Sequence, residues 1–91
     1  MPILREIVEE HAVYQTIDAE RAIYPRLEEA YDALKWRLSR TPEFGYLVDE
    51  KHWVYRQEGN GDLKIPALLV LYTFDIVQVR ILFVQVCVPT V

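Results

Sequence analysis

Apolar residues recur at steps of three and four in the first half of the chain, which is the spacing of a helix. Leu27, Ala30, Tyr31, Leu34 and Leu38 form one stripe. The stripe predicts an amphipathic helix from about Pro25 to Arg40. Thr41-Pro42-Glu43-Phe44-Gly45 follows with a proline and a glycine, so we expect the helix to end there.

The pattern before this helix is weaker. It predicts a shorter helix from about Asp18 to Tyr24, capped by Thr16 or Asp18. Because Tyr24 precedes Pro25, it is biased away from helical angles, and we expect a break between the two helices. The apolar positions before residue 16 fit a helix about as well as a strand, and we favour a strand within His11 to Thr16.

The second half has the residue types and turns of a β-meander. His52 to Gln57 is rich in aromatic and β-branched residues, and the turn cluster Glu58 to Asp62 follows. Leu63 to Phe74 predicts the next strand, Asp75 a tight turn, and Ile76 to Val88 the last and longest strand.

The last strand contains a change of phase. Gln78 and Arg80 occupy even positions, whereas Gln85 occupies an odd one. Side chains of a regular strand alternate between its two faces, so we expect a β-bulge between Arg80 and Gln85. Ala67 to Tyr72 and Ile81 to Val84 are apolar on both faces. One face should pack on the helices, and the other should meet a second copy or a partner chain.

These elements predict one α+β domain over residues 1–91, with a helical part at about 17–41 and a meander at about 46–88. The expected architecture is an N-terminal helical hairpin packed on a three- to four-stranded antiparallel sheet. A chain of 91 residues is the size of a single small domain.

Charge and cysteine content narrow the function classes. The net charge of −4 argues against a generic nucleic-acid binder, which would carry a basic face. A single cysteine, Cys87, excludes an intramolecular disulfide and a cysteine-based zinc site, and with two histidines we expect neither a metal nor another cofactor. With no signal peptide or membrane-spanning stretch, we expect a cytoplasmic protein that does not bind membranes.

The β half offers a small set of candidate contact residues. Its cations are Lys51, His52, Arg56, Lys64 and Arg80. They could hold a phosphate or an acidic partner, or they could simply keep the sheet solvated. Arg56 follows Trp53 and Tyr55, and arginine and aromatic side chains are common anchors of protein interfaces, so Trp53, Arg56 and Arg80 are the candidate anchors.

Three segments carry a resemblance to a known family: Trp53-Val54-Tyr55-Arg56, Leu69-Val70-Leu71-Tyr72-Thr73-Phe74-Asp75, and Ile76-Val77-Gln78-Val79-Arg80-Ile81-Leu82. Together with the order of short strand, helical hairpin, Pro-Gly turn and antiparallel meander, they resemble the RelE/ParE toxins of bacterial toxin–antitoxin pairs over about residues 16–88. The resemblance implies a concave sheet face, an antitoxin partner, and either ribosome-dependent cleavage of messenger RNA or inhibition of DNA gyrase.

The family's catalytic positions are not retained. The sheet arginine of the family lies three residues before the hairpin tyrosine, and counting back from Tyr72 that position is Leu69. The family's catalytic arginine and tyrosine after the last strand would fall near Pro89 or beyond. We therefore expect a toxin-fold protein that acts by protein binding, directed at gyrase or degenerate.

Two alternatives stay open. One is a ribosome-dependent endoribonuclease in which Lys51, His52, Arg56 and Lys64 replace the missing family residues. The other is a structural protein whose apolar sheet pairs with itself, for which a homodimer is the simplest form. Nucleic acid is the less favoured partner because the cations are few.

Overall fold

A computed structural model describes residues 4–88 as five strands and two helices. The elements are β1 (Glu6–Glu9), α1 (His11–Arg21), α2 (Leu27–Arg40), β2 (Tyr46–Leu47), β3 (Trp53–Gln57), β4 (Ala67–Phe74) and β5 (Gln78–Cys87). A 3₁₀ turn over Pro42–Phe44 joins α2 to β2. The predicted α+β class is confirmed. Within the described range, neither helix combines the length and apolar character needed to cross a bilayer.

The strands form one sheet in the order β1-β5-β4-β3-β2. β1 runs parallel to β5, and every other neighbouring pair is antiparallel. The expected helical hairpin and four antiparallel strands, β2 to β5, are present. The expectation did not include β1, which precedes the hairpin and makes the sheet mixed. Parallel neighbours require a long connection, and β1 and β5 are joined by all the other elements of the chain.

The strand expected within His11 to Thr16 is wrong, since these residues begin α1, and α1 also starts well before the predicted Asp18. Glu10 is the extended N-cap residue, and its carbonyl oxygen accepts the Val13 amide at 2.9 Å. Val13 and Ile17, four residues apart, are the buried positions of this helix. Two buried positions give a weak stripe, which is why the sequence pattern did not separate helix from strand here.

The predicted break and stop around α2 are confirmed. α1 ends at Arg21, and α2 begins at Leu27, past the Tyr24–Pro25 step. α2 ends at Arg40, immediately before the Pro42–Gly45 turn. A Cβ atom on Gly45 would collide with the hydroxyl of Tyr72 and with the carbonyl oxygen of Val54. Glycine is therefore required for the chain to pass this close to β3 and β4.

The meander follows the predicted turns. Asn60 and Ile65 form an isolated bridge within the turn that joins β3 to β4. The carboxylate of Asp75 accepts the amides of Val77 and Gln78 at 2.7 and 2.9 Å, which closes the predicted tight turn before β5. These bonds, that of Gln78 first, lower the pKa of Asp75 below its usual range.

The predicted bulge is confirmed. Leu71 pairs with Phe83, but the next residue of β4, Tyr72, pairs with Ile81, which leaves Leu82 as the extra residue. Val79 and Ile81 are buried before the bulge, and Val84 is buried after it. The bulge thus keeps apolar side chains directed toward the same face of the sheet although their positions change from odd to even.

Both helices pack on one face of the sheet. The buried residues of α1 and α2 belong to the same cluster as Leu68, Val70 and Tyr72 of β4 and the buried residues of β5. Successive strand residues point to opposite faces, so Leu69, Leu71 and Thr73 lie on the other side. We call the helix-covered side the inner face and the opposite side the outer face.

Candidate protein-binding face

The outer face carries a continuous row of apolar side chains across four strands. Cross-strand pairing places Tyr46 beside Val54, Val54 beside Leu71, and Leu71 beside Phe83. Residues paired in this way point to the same face and contact one another. Tyr46 and Phe83, at the two ends of the row, are 78% and 50% exposed. We call these four residues the apolar row.

Mixed polar residues flank the apolar row on both sides. The neighbouring rows are Arg56–Leu69–Gln85 and Thr73–Arg80–Val8. The outer face therefore has an apolar centre between two more polar margins. Protein interfaces have the same anatomy, with a core depleted in charge and a polar rim.

The two arginines of the outer face are already paired within the chain. Arg56 Nε lies 3.1 Å from Glu58 Oε1, and Arg80 Nη1 lies 3.0 Å from Glu10 Oε1. Arg56 and Arg80 are two strands apart, and their partners on β4 are four residues apart, which separates their Cα atoms by about 17 Å. Each guanidinium is directed at its own carboxylate, which offsets its charge, rather than at a point that both arginines share.

Trp53 lies on the inner face. It pairs with the buried Tyr72, and its ring centroid is 5.2 Å from that of Phe74. The alternation along β3 thus separates Trp53 from Arg56, three residues later, and the candidate anchors do not form one contact surface.

Lys51 and His52 lie in the turn before β3. Asp49 Oδ1 accepts the backbone amides of Lys51 and His52 at 3.0 and 2.9 Å, and His52 Nδ1 lies 2.8 Å from the same oxygen. These bonds, that of the Lys51 amide first, lower the pKa of Asp49 to about 2. His52 is thereby held by a carboxylate at the surface of a turn, and its ring has a structural partner.

Lys64 lies in the turn between β3 and β4. Its φ of 58° is the only positive φ of a non-glycine residue in the described chain. Together with Gly61, it faces the loop between the helices across a shallow cavity of about 240 Å³, lined there by Ile23, Tyr24 and Pro25. The structure therefore distributes the six candidate residues over the outer face, the inner face and two turns.

Tyr72, the tyrosine of the family pattern, is fully buried on the inner face. Its hydroxyl donates a hydrogen bond to the Pro42 carbonyl oxygen at 2.5 Å. Burial raises the pKa of Tyr72 to about 12. Leu69 lies on the outer face, and Pro89 lies outside the described residues. Tyr72 is therefore a core residue whose hydroxyl fixes the turn that follows α2.

Sequence reasoning missed the residues that form the apolar row. It identified the doubly apolar runs in β4 and β5, but the row becomes visible only with the register, because the bulge at Leu82 aligns Phe83 with Leu71. Tyr46 belongs to a strand of two residues, which is too short for a pattern.

No metal centre is formed within residues 4–88, since no group of three or more His, Cys, Asp or Glu side chains comes together there. Comparisons of the chain with protein-family models, with curated proteins and with solved structures find no significant match.

Proposed function

We propose that this chain is a RelE/ParE-like toxin-fold protein that acts by binding another protein through its outer face. It would act either as a gyrase-directed toxin or as a degenerate member that keeps the fold without the activity. The observation that carries the proposal is the apolar row, which crosses four strands and is not covered by either helix. Exposed apolar patches with polar margins are typical of protein interaction sites.

The order of elements supports the resemblance. A short strand, two helices, a turn from Pro42 to Gly45 and an antiparallel meander follow one another in the order on which the resemblance rests. Within residues 4–88, the helices cover one face of the sheet and leave the other face open, so that face is accessible to a partner. The antitoxin partner stays part of this proposal.

Binding fits the geometry better than ribonuclease activity. RNA cleavage needs a cation at the scissile phosphate and a group that handles the proton of the 2′-hydroxyl. Arg56 is paired with Glu58, and His52 is held by Asp49 in a separate turn. The Tyr72 hydroxyl is buried against Pro42. These groups do not surround a common point, so occupancy of the outer face is the simpler mechanism.

The test is controlled induction of the chain in bacteria, with growth, DNA supercoiling and messenger RNA integrity measured together. The variant Leu71→Glu with Phe83→Glu places two charges in the apolar row. Its matched control is Ile23→Glu with Leu63→Glu, which introduces the same charges at exposed apolar positions away from the outer face. Circular dichroism checks that both variants fold.

Growth arrest with altered supercoiling and intact transcripts, lost in the Leu71/Phe83 variant and kept in the control, is the expected result for a gyrase-directed toxin. Cleaved transcripts would show that the chain acts as a ribonuclease and not by binding alone. If growth is normal, light scattering at micromolar concentration tests the remaining function of the face. If the natural chain and the control are dimers and the Leu71/Phe83 variant is a monomer, the outer face pairs with itself. If the natural chain is a monomer and a crosslinker placed at Phe83 captures no partner, the proposal is overturned.

A further inference from the structure

The seven arginines of the chain fall into two groups. Arg21, Arg26, Arg56 and Arg80 each pair with a carboxylate of the chain. Arg5, Arg37 and Arg40 have no carboxylate oxygen within 4.0 Å among the described residues. In a chain of net charge −4, three arginines without such a partner stand apart from the rest.

Each of these three guanidinium groups lies over an aromatic ring. The Cζ atom of Arg40 is 4.0 Å from the ring centroid of Trp36, that of Arg37 is 4.9 Å from Phe44, and that of Arg5 is 5.6 Å from Phe74. Stacking holds the planar group in place. Arg5 Nε donates to the Asp75 carbonyl oxygen at 2.7 Å and Arg40 Nη1 to the Trp36 carbonyl oxygen at 3.3 Å, and the other N–H donors have no carboxylate of the described residues within 4.0 Å.

The backbone positions of the three arginines are close together at the C-terminal end of α2. Arg37 and Arg40 are one turn apart on that helix, and positions three apart are neighbours on a helix surface. The backbone amide of Arg5 donates to the carbonyl oxygen of Ser39 at 2.9 Å, which joins the start of β1 to the same helix end. We call Arg5, Arg37 and Arg40, with Trp36 and Phe44, the arginine end.

The helix dipole accounts for part of this arrangement. Cations are favoured at a helix C-terminus, and Arg40 Nη1 donates to the Trp36 carbonyl oxygen at 3.3 Å. The dipole does not account for Arg5, which is not on the helix, nor for the rings of Trp36 and Phe44, which are 60% and 59% exposed. Arginine and aromatic side chains are the residues most often found as anchors of protein interfaces, and here they lie side by side.

Two acidic residues border the arginine end. Asp75 lies near Arg5, but its carboxylate already accepts the amides of Val77 and Gln78. Glu43 belongs to the 3₁₀ turn that also contains Phe44. A third carboxylate, that of Glu6, follows Arg5 in the chain, but the alternation of β1 directs it to the outer face together with Val8. The arginine end itself therefore holds three cations beside two carboxylates.

We propose that the arginine end binds an acidic segment of a partner protein, in which carboxylates alternate with apolar side chains. The guanidinium fork matches a carboxylate in a bidentate arrangement. Leu4, Ile76 and Val77, beside Arg5 in the chain or beside its acceptor Asp75, are 63%, 69% and 64% exposed. These aliphatic groups complement apolar side chains of a peptide and offer nothing to a phosphate backbone, so a protein segment is favoured over a nucleic acid. The proposal is independent of the outer face and its function.

The test measures the binding of two labelled peptides by fluorescence anisotropy. The first peptide consists of glutamate–leucine pairs separated by serine, and the second is identical except that glutamine replaces every glutamate. A labelled single strand of oligo-dT is the third probe. Arg37→Gln with Arg40→Gln removes two charges of the arginine end. Arg56→Gln with Arg80→Gln removes the same number from the outer face and is the matched control. Arg37→Lys with Arg40→Lys keeps the charge and removes the planar fork.

The glutamate peptide should bind the natural chain, and the Arg37/Arg40 glutamine variant should weaken its binding at least about tenfold, which corresponds to about 1.4 kcal/mol. The Arg56/Arg80 control should bind within about twofold of the natural chain, and the lysine variant should fall between them. If circular dichroism shows that the glutamine variant does not fold, the lysine variant decides.

Four results would overturn the inference. Equal loss in the two glutamine variants would indicate attraction by overall charge. Equal binding of the glutamine peptide would show that carboxylates are not recognised. Tighter binding of oligo-dT with the same arginine dependence would assign the surface to nucleic acid. Absence of binding by the glutamate peptide counts with these three.

Discussion

The inner and outer faces of the sheet differ in what covers them rather than in how apolar they are. Along β4, Leu68 and Val70 alternate with Leu69 and Leu71, so both faces carry aliphatic side chains. The helices bury the first pair almost completely, whereas the second pair is only partly buried. Stabilisation follows the apolar area removed from water. The fold therefore depends on the inner face, and the outer face can change at small cost, as a binding surface must.

The largest expected effect comes from two adjacent leucines. Leu68→Ala should lower the free energy of unfolding by about 3 kcal/mol, because it leaves a cavity in the inner face, where Leu68 is 0% exposed. Leu69→Ala, the same change one residue later, should cost about 1 kcal/mol or less because Leu69 lies on the open face. Urea unfolding of the two variants measures both. Equal losses would show that the outer face is also part of the core.

A pair of tyrosines gives the next largest difference. Tyr72→Phe should cost about 1–2 kcal/mol, because the Pro42 carbonyl oxygen loses its buried hydrogen-bond donor. Tyr46→Phe, at the exposed end of the apolar row, should leave the stability within about 0.5 kcal/mol of the natural chain. Thermal unfolding followed by circular dichroism separates the two. A neutral Tyr72→Phe would mean that another donor reaches Pro42.

Alkaline pH should destabilise the inner face selectively. Burial raises the pKa of Tyr72 from its usual 10.0 to about 12, so the folded chain holds this proton more tightly than the unfolded chain does. The contribution is present below pH 10 and is lost as the pH rises from 10 to about 12. Tyr31, whose pKa burial and Glu9 also raise, acts with the same sign. Between pH 10 and about 12, the melting temperature of Tyr72→Phe should fall less than that of the natural chain. If the two fall equally, Tyr72 is not the source of the pH dependence.

The smallest effect is expected for the ion pairs of the outer face. Arg56→Gln and Arg80→Gln should each change the free energy of unfolding by less than about 0.5 kcal/mol, because both arginine side chains and their carboxylate partners are well exposed. Unfolding at low and high salt provides the measurement, and neither variant should respond to salt differently from the natural chain. A loss above about 1 kcal/mol for Arg80 would show that its bridge to Glu10 helps to hold β1 on β5.

Local patterns predicted most of the fold. The helix stripe from Leu27 to Leu38, the Pro42–Gly45 stop and the Asp75 turn each depend on neighbours in sequence, and the phase change between Arg80 and Gln85 located the bulge. The pairing of β1 with β5 could not be predicted in this way, since Glu6 and Gln78 are joined only by long-range contacts. The start of α1 was placed too late because two buried residues do not define a period.

The candidate site was less predictable because it also depends on contacts between residues that are far apart in the sequence. Arg80 reads as an available cation in the sequence, but its partner Glu10 lies 70 residues away. The apolar row needs the register of three strand pairs before Tyr46 and Phe83 can be placed on one surface. Arg5, Arg37 and Arg40 are distinguished by having no ion-pair partner within 4.0 Å among residues 4–88 and by their aromatic neighbours, and no linear pattern contains either feature.

Leu82 also determines where this chain tolerates a change of length. With Leu82 deleted, Ile81 and Phe83 would become neighbours, and they already face the neighbouring residues Tyr72 and Leu71. The shortened strand would alternate regularly, with every later side chain on its present face. A one-residue deletion within β4 would instead turn the residues beyond it toward the opposite side. An alignment of this chain with a relative that lacks the extra residue should therefore carry its gap at Leu82.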